Sequence, residues 1–252
     1  MNFTNKTVLV TGGTRGIGRA IALAFAKRGA RVAVLFRSDQ VSADKTLAEL
    51  EGNGHLAFKT DVADAEQVEK AVSDVIETFG SLDIVVNNAG IGVNHPLPTT
   101  SYEDWQQAWR QTIDANLIGP ANICFCVAKY MIDQGGGRIV NITSRGAFRG
   151  EPTKAAYGAS KAGLNSLSQS LAVALAEYKI FVGAVAPGFV NTELTADILN
   201  GPEGPQIKAQ SPFNRVAEPE EVAHAVLFLA SDGAEFSTGT ILDVNGASYL
   251  RS

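Results

Sequence analysis

The sequence predicts an α/β protein: a doubly wound, parallel, seven-stranded sheet with helices on both faces. Two observations carry this. Short apolar runs rich in Val, Ile and Leu alternate with stretches of helical periodicity, as strands buried on both sides require. The first of these runs ends in a glycine-rich turn that opens directly into a helix. The chain has 252 residues, and no linker, repeat or low-complexity segment divides it. One domain over residues 1–252 is therefore expected.

In order, Thr7-Val8-Leu9-Val10 is the first strand and Thr11 to Gly18 the turn. Ile17, Ile21, Ala24 and Phe25 then form a helical stripe that stops at Gly29. Val32 to Phe36 is the second strand, followed by a helix from Val41 to Leu50 and a strand from Leu56 to Thr60. A helix carrying Val68, Val72, Val75 and Ile76 leads to the fourth strand, Ile84-Val85-Val86. From Thr100 to Gln134 the chain is strongly helical, with a capping box at Thr100-Ser101-Tyr102-Glu103 and an interruption at Gly119-Pro120. Arg138 to Ile142 is the fifth strand, and the helix after it carries Leu164, Leu167, Leu171 and Leu175 on its buried side. Phe181 to Val185 is the sixth strand and Thr240 to Val244 the seventh. Between them lie a helix with Val222, Ala225, Val226 and Leu229 and, before it, residues 191–213, read as a mobile lid over a cleft.

Composition narrows the function. Apolar residues make up 45% and charged residues 19%, as in a soluble globular protein. A net charge of −5 argues against a nucleic-acid partner. No uninterrupted apolar run nears the ~20 residues that span a bilayer, and the first residues offer no secretory signal. Cys124 and Cys126 are too few for a disulfide framework and read as small core residues. No His/Cys/carboxylate group has metal-ligand spacing. A cytoplasmic setting without membrane, nucleic acid or metal is expected.

A strand, a glycine turn and an immediate helix suit a dinucleotide. Glycines let the backbone approach a pyrophosphate, and free N–H groups at the helix start attract anions. The spacing here is Gly12-x3-Gly16-x-Gly18. After the second strand an acidic residue would favour NAD(H) through the ribose hydroxyls. The chain has Phe36-Arg37-Ser38 instead, with Asp39 one step later. Arg37, with Arg15 in the turn, suits a 2′-phosphate and points to NADP(H), with NAD(H) the alternative. The competing reading of either arginine is a solvated surface charge.

Tyr157 and Lys161, four residues apart on a helix, share one face. A neighbouring ammonium is expected to lower the phenol from its ordinary ~10 and make it a general acid or base. Pro120 lacks the N–H that an α-helix would send to the carbonyl of Asn116, which leaves that carbonyl for water; it also suits the first turn of a second helix.

Thr11-Gly12-x3-Gly16-x-Gly18, Asn87-Asn88-Ala89-Gly90, Ser144, Tyr157-x3-Lys161 and Pro187-Gly188-x-Val190-x-Thr192 occur in that order. Together they make the chain resemble the short-chain dehydrogenase/reductase superfamily over essentially its whole length. The resemblance implies a homotetramer of Rossmann-type subunits moving hydride between a nicotinamide and a carbonyl or alcohol. It implies four catalytic residues. Tyr157 would give its proton to the carbonyl oxygen, with Ser144 bonded to the same oxygen. Lys161 would tune Tyr157 and hold the nicotinamide ribose, and Asn116 would keep a water behind Lys161. It also implies a cofactor set of Gly12, Thr14, Arg15, Gly16, Ile17, Gly18, Arg37, Ser38, Asp61, Val62, Asn88, Ala89, Gly90, Tyr157, Lys161, Pro187, Gly188, Val190 and Thr192.

Two departures stand out. The helix around Trp105 and Trp109 is about one turn longer than is usual before the Asn, so local accommodation is expected. At Val244 to Ser248, Asn245 and Ala247 replace an acidic residue and a glycine, which touches the C-terminal packing. The stretch Phe213-Asn214-Arg215-Val216-Ala217-Glu218-Pro219 and Phe36-Arg37-Ser38 resemble the 3-oxoacyl-[acyl-carrier-protein] reductase branch. That branch implies an acyl-thioester carbonyl substrate, fatty acid biosynthesis and acyl carrier protein as partner. A reductase or dehydrogenase of a small alcohol, sugar or other ketone is the alternative, and a cofactor-binding regulator without turnover the third. Arg145 and Arg149 could meet an anionic group or else point to solvent and pair with Glu151. His95, after the Asn-Asn-Ala-Gly motif, could face the pocket but reads first as a surface-loop histidine.

Overall fold

A computed structural model describes residues 1–251. Among them β1 (Thr7–Thr11), β2 (Arg31–Phe36), β3 (Leu56–Lys59), β4 (Ile84–Asn87), β5 (Gly137–Ile142), β6 (Ile180–Pro187) and β7 (Ile241–Val244) form one sheet. The order is β3-β2-β1-β4-β5-β6-β7, and every neighbouring pair is parallel. This is the doubly wound Rossmann-type sheet that the sequence predicts, in a single domain.

The strands are apolar on both sides because both sides are covered. Val8 and Val10 of β1 face one layer with Ile84 and Val86 of β4, while Leu9 and Val85 face the other. The first layer holds α1 (Gly16–Ala26), through Ile21 and Phe25, and α9 (Pro219–Ala230), through Val222 and Val226. The second holds α3 (Ala65–Phe79) and α5 (Gly119–Gln134), through Val68, Val72, Ile123, Val127 and Met131, with α6 (Ala155–Leu175) beside them. α2 (Gln40–Glu49) is capped by Asp39, whose carboxylate accepts from the Ser42 amide, and α3 by Asp64.

Three expectations are corrected here. The cap of α4 (Tyr102–Ile113) lies one residue later than the Thr100/Glu103 box: Ser101 Oγ accepts from the Asp104 amide and donates to its carboxylate. The helix is not interrupted at Gly119-Pro120. It runs on through a π turn at Asp114–Ile118, where the Gly119 amide reaches back to the Asp114 carbonyl. The π turn shifts the hydrogen-bond ladder by one residue just where Pro120 has no N–H to give. Residues 191–213 are not one loose connection, since α7 (Ala196–Asn200) and α8 (Gly204–Lys208) fold within them and bury Leu199 and Ile207.

The merged helix Tyr102–Gln134 has a window of mean hydropathy 1.2, enough by length and composition to cross a membrane; half of that window is buried in the fold.

Candidate active site

The carboxyl ends of β1, β4, β5 and β6 converge on one cleft, and the sequence-predicted residues sit there or on the turns around it. Gly12 and Gly16 take positive φ, 61° and 50°. A Cβ on Gly18 would lie 2.1 Å from the Gly12 carbonyl oxygen and 2.4 Å from Asn88 Nδ2, so only glycine fits. Asn88 donates its amide to the carbonyls of Thr11 (2.9 Å) and Gly12 (3.1 Å), and Thr11 Oγ1 accepts from the Asn88 and Ala89 amides. The Asn88 side chain thus holds the turn in place. Thr14 is buried, and Ile17 is partly buried against the first layer. α1 has Arg15 at its cap position and no side-chain cap, leaving its first amides for an anion.

At the end of β2, Arg37 and Ser38 are exposed, as is Arg15. Asp39 is committed to capping α2, and its carboxyl is held below the usual range, first by the Ser42 amide and further by Arg15. Asp61 Oδ1 accepts from the Ala63 amide at 3.0 Å beside buried Val62. The bare turn, the free amides and the two exposed guanidinium groups fit a dinucleotide with a 2′-phosphate.

β6 ends at Pro187, and the Gly188 amide donates to the Val244 carbonyl at 3.0 Å. Val190 is buried. Thr192 lies over the glycine turn, since a Cβ on Gly16 would meet Thr192 Cγ2 at 3.2 Å. The segment leading into α7 therefore crosses the cleft at the glycine turn.

At the other end of the cleft stand Ser144, after β5, and Tyr157 and Lys161 in the first two turns of α6. Tyr157 borders Gly92, where a Cβ would lie 3.6 Å from its ring. Lys161 is buried, and its Nζ donates to the Ile142 carbonyl at 2.9 Å, 5.9 Å from the Tyr157 ring centroid. A Cβ on Gly90 would lie 3.4 Å from that Nζ and 3.1 Å from Asn116 Oδ1. Gly90, Asn116 and Lys161 are therefore neighbours.

The electrostatics differ from the expectation. The Tyr157 phenol is raised above its ordinary value, first by burial; hydrogen bonding with Ser144 opposes this and the Glu151 charge adds to it. Lys161 is pulled down to about 8 by burial. The reason is directional: helix spacing brings the two residues to one face, but the ammonium turns to the sheet and gives its hydrogen bond to a backbone carbonyl. Each group is driven toward its neutral form.

Asn116 is wholly buried within the π turn. Its Oδ1 accepts from the Ile91 amide at 2.8 Å, and its Nδ2 donates to the Ile91 carbonyl (2.8 Å) and Ser160 Oγ (3.1 Å). The side chain thereby ties the loop after β4 to α6.

His95 is 1% exposed, not a surface-loop residue. Its Nδ1 pairs with the Val93 carbonyl (2.9 Å), its Nε2 accepts from the Ala156 amide (3.1 Å), and its ring meets Trp105 edge-on at 5.0 Å. No short-range pattern betrays this, because the partners lie 10 and 61 residues away in the chain. Arg145 points neither to solvent nor to Glu151: it is buried, donates to Ser248 Oγ at 2.6 Å and lies over the Phe189 ring. It borders a cavity of about 140 Å³ between Ile207, Phe213 and Val244, which Ser144 and Tyr157 do not line. Arg149 is exposed and reaches Gln210 Oε1 at 3.4 Å. The C-terminal tail closes on the same loop, with Arg251 over Phe148 and Tyr249 donating to the Phe148 carbonyl. Cys124 is buried, its thiol pushed up to about 12 by burial, and Cys126 is half-buried and packs against the second layer of the core. No group of His, Cys, Asp and Glu among the described residues is arranged for a metal.

Comparison with known proteins agrees with this geometry. A family model described as enoyl-(acyl carrier protein) reductase matches residues 12–247. A 3-oxoacyl-[acyl-carrier-protein] reductase of Staphylococcus aureus (strain N315) is 39% identical over 247 residues, 97% of this chain and 98% of that protein. A 3alpha-hydroxysteroid dehydrogenase of Mediterraneibacter gnavus is 40% identical over 253 residues, covering 98% of each. A crystal structure of a short chain dehydrogenase from Burkholderia cenocepacia J2315 in complex with NADP superposes with a TM-score of 0.90. It is 32% identical, over 98% of this chain and 99% of that one.

Proposed function

The chain belongs to the short-chain dehydrogenase/reductase family of oxidoreductases, and from that premise we propose that it is an NADP(H)-dependent reductase of 3-oxoacyl thioesters. The observation that carries the reading is the meeting of Ser144, Tyr157 and Lys161 at one end of a cleft whose other end is a glycine cradle flanked by Arg15 and Arg37. The similarity to 3-oxoacyl-[acyl-carrier-protein] reductases over nearly the full length supports the thioester substrate.

NADP(H), when bound, supplies or accepts the hydride. The turn amides and Gly12, Gly16 and Gly18 would take the pyrophosphate, and Arg15, Arg37 and Ser38 the 2′-phosphate. Asp61 and Val62 would border the adenine. Ala89 and Gly90 would border the ribose, while Asn88 holds the turn. Pro187, Gly188, Val190 and Thr192 would border the nicotinamide.

The residues of the chemical end then follow from their protonation. A phenol raised above its ordinary value is protonated at neutral pH, so Tyr157 is an acid ready to donate to a carbonyl oxygen. Ser144 holds that oxygen beside it. Lys161, buried near Asn116 with its ammonium 5.9 Å from the Tyr157 ring centroid, supplies positive charge as the phenolate forms, and a water held at the Asn116 carbonyl would return the proton. Residues 191–213 cover the cleft and exclude water. Exposed apolar side chains on α5 and α6, Phe125, Ile132 and Val173, support assembly as a homotetramer. Acyl carrier protein is the partner that presents the thioester, in the cytoplasm.

The test is a panel of acetoacetyl thioester, small ketones and a ketosteroid, each with NADPH and NADH. The reading expects the thioester with NADPH to turn over fastest. Faster turnover of a small ketone or steroid would replace the substrate, and tight NADPH binding with no turnover of any carbonyl would replace the reaction with a regulatory role.

A further inference from the structure

The first turn of a helix is its weakest part, because its amides have no carbonyl within the helix to bond. In α6 that turn carries Tyr157. The Tyr157 and Gly158 amides return to the Lys154 carbonyl at 2.9 and 3.2 Å, but Lys154, at the cap position, offers no side-chain acceptor. The Ala156 amide is left over, and Ala156 is 0% exposed, so water is excluded as its partner. His95 Nε2 accepts that hydrogen bond, from a loop 61 residues earlier.

An amide N–H can only donate, so Nε2 is the bare nitrogen of the ring. The proton is therefore on Nδ1, which faces the Val93 carbonyl at 2.9 Å. The backbone of His95 is fixed as well, its amide donating to the Thr153 carbonyl at 2.8 Å just before α6. Residues 88–95 are thereby pinned in sequence: Asn88 and Ala89 to Thr11 of the glycine turn, Ile91 to Asn116, and His95 to the start of α6.

We infer that His95 is a positioning residue for Tyr157, acting as a remote cap that holds the first turn of α6 in register with the cofactor loop. The inference rests on Tyr157 being the proton donor. Without the cap a buried amide loses its only partner, the turn loosens, and the phenol no longer sits where the carbonyl oxygen is held.

Packing against Trp105 is the competing role for the ring, and substitutions separate the two. His95→Phe keeps an aromatic ring against Trp105 and removes the acceptor. His95→Gln gives up the ring but places an amide oxygen near the position of Nε2. Capping predicts that H95F lowers kcat at least about tenfold below H95Q, with KM and the NADPH Kd changed less than about twofold. It also predicts faster amide hydrogen exchange at residues 155–158 in H95F than in H95Q, a readout that needs no turnover. Should H95F fail to fold, His95→Asn, which reaches only the Nδ1 position, takes its place and must fall with the low-activity variants. H95F matching or exceeding H95Q in both kcat and exchange protection would overturn the inference. Wild-type protein inactive on every carbonyl, with the exchange difference intact, would instead fault the proposed reaction.

Discussion

At the glycine turn the fit is set by backbone, with Arg15 and Arg37 at its rim: Thr11 and Asn88 fasten the loop, and Gly18 survives only because nothing larger fits. At Tyr157 protonation matters more than shape, with a phenol raised and an ammonium lowered by burial and the Glu151 charge acting on the phenol. The first end is a shape, indifferent to pH and intolerant of added atoms. The second tolerates small changes of volume and depends on charge. Their separation allows binding and chemistry to be damaged independently.

The largest expected effect at the shape end is from Gly18→Ala. Its methyl group would collide with the Gly12 carbonyl, force the turn open and weaken NADPH binding by about a hundredfold, read by fluorescence titration. Unchanged affinity would show that the cradle is not the cofactor site. Arg37→Ala should weaken NADPH by about tenfold or more and leave NADH nearly unchanged, because only the 2′-phosphate is lost. Equal losses for both cofactors would remove the 2′-phosphate assignment.

The smallest effect is at the charged end and is a gain in stability. The unfolded chain keeps the Lys161 proton up to about 10.5 and the folded chain only up to about 8. Between those values the unfolded state binds more protons, so this residue's contribution makes stability rise with pH across that window. Lys161→Met removes the buried ammonium and should raise Tm at pH 7 by about 2–4 °C while lowering turnover. A lower Tm would mean that the bond to the Ile142 carbonyl outweighs the cost of burying the charge. For the wild type, reduction should slow as pH rises through about 8 and Lys161 loses its proton.

The sequence made the same division visible in part. The strands, the glycine turn and the Tyr157/Lys161 spacing are local patterns, and each reappears in the structure with small shifts of boundary. The burial of His95 and Arg145 was not legible, since Ala156, Trp105, Phe189 and Ser248 meet them only after the sheet has formed. The sign of the Tyr157 shift failed for a related reason: i,i+4 spacing sets where two Cβ atoms lie, not where a long ammonium chain turns. Pro120 did hint at irregularity, but a break and a π turn answer the missing N–H equally well in sequence terms.

We propose that Tyr157 supplies the proton and the glycine cradle holds the cofactor, independently. Tyr157→Phe tests it most directly, with NADPH affinity and single-turnover NADPH oxidation by a 3-oxoacyl thioester measured on the same sample. The expected outcome is an affinity within about threefold of wild type and a rate reduced by about a thousandfold or more. A rate near that of the wild type, with NADPH equally well bound, would contradict it.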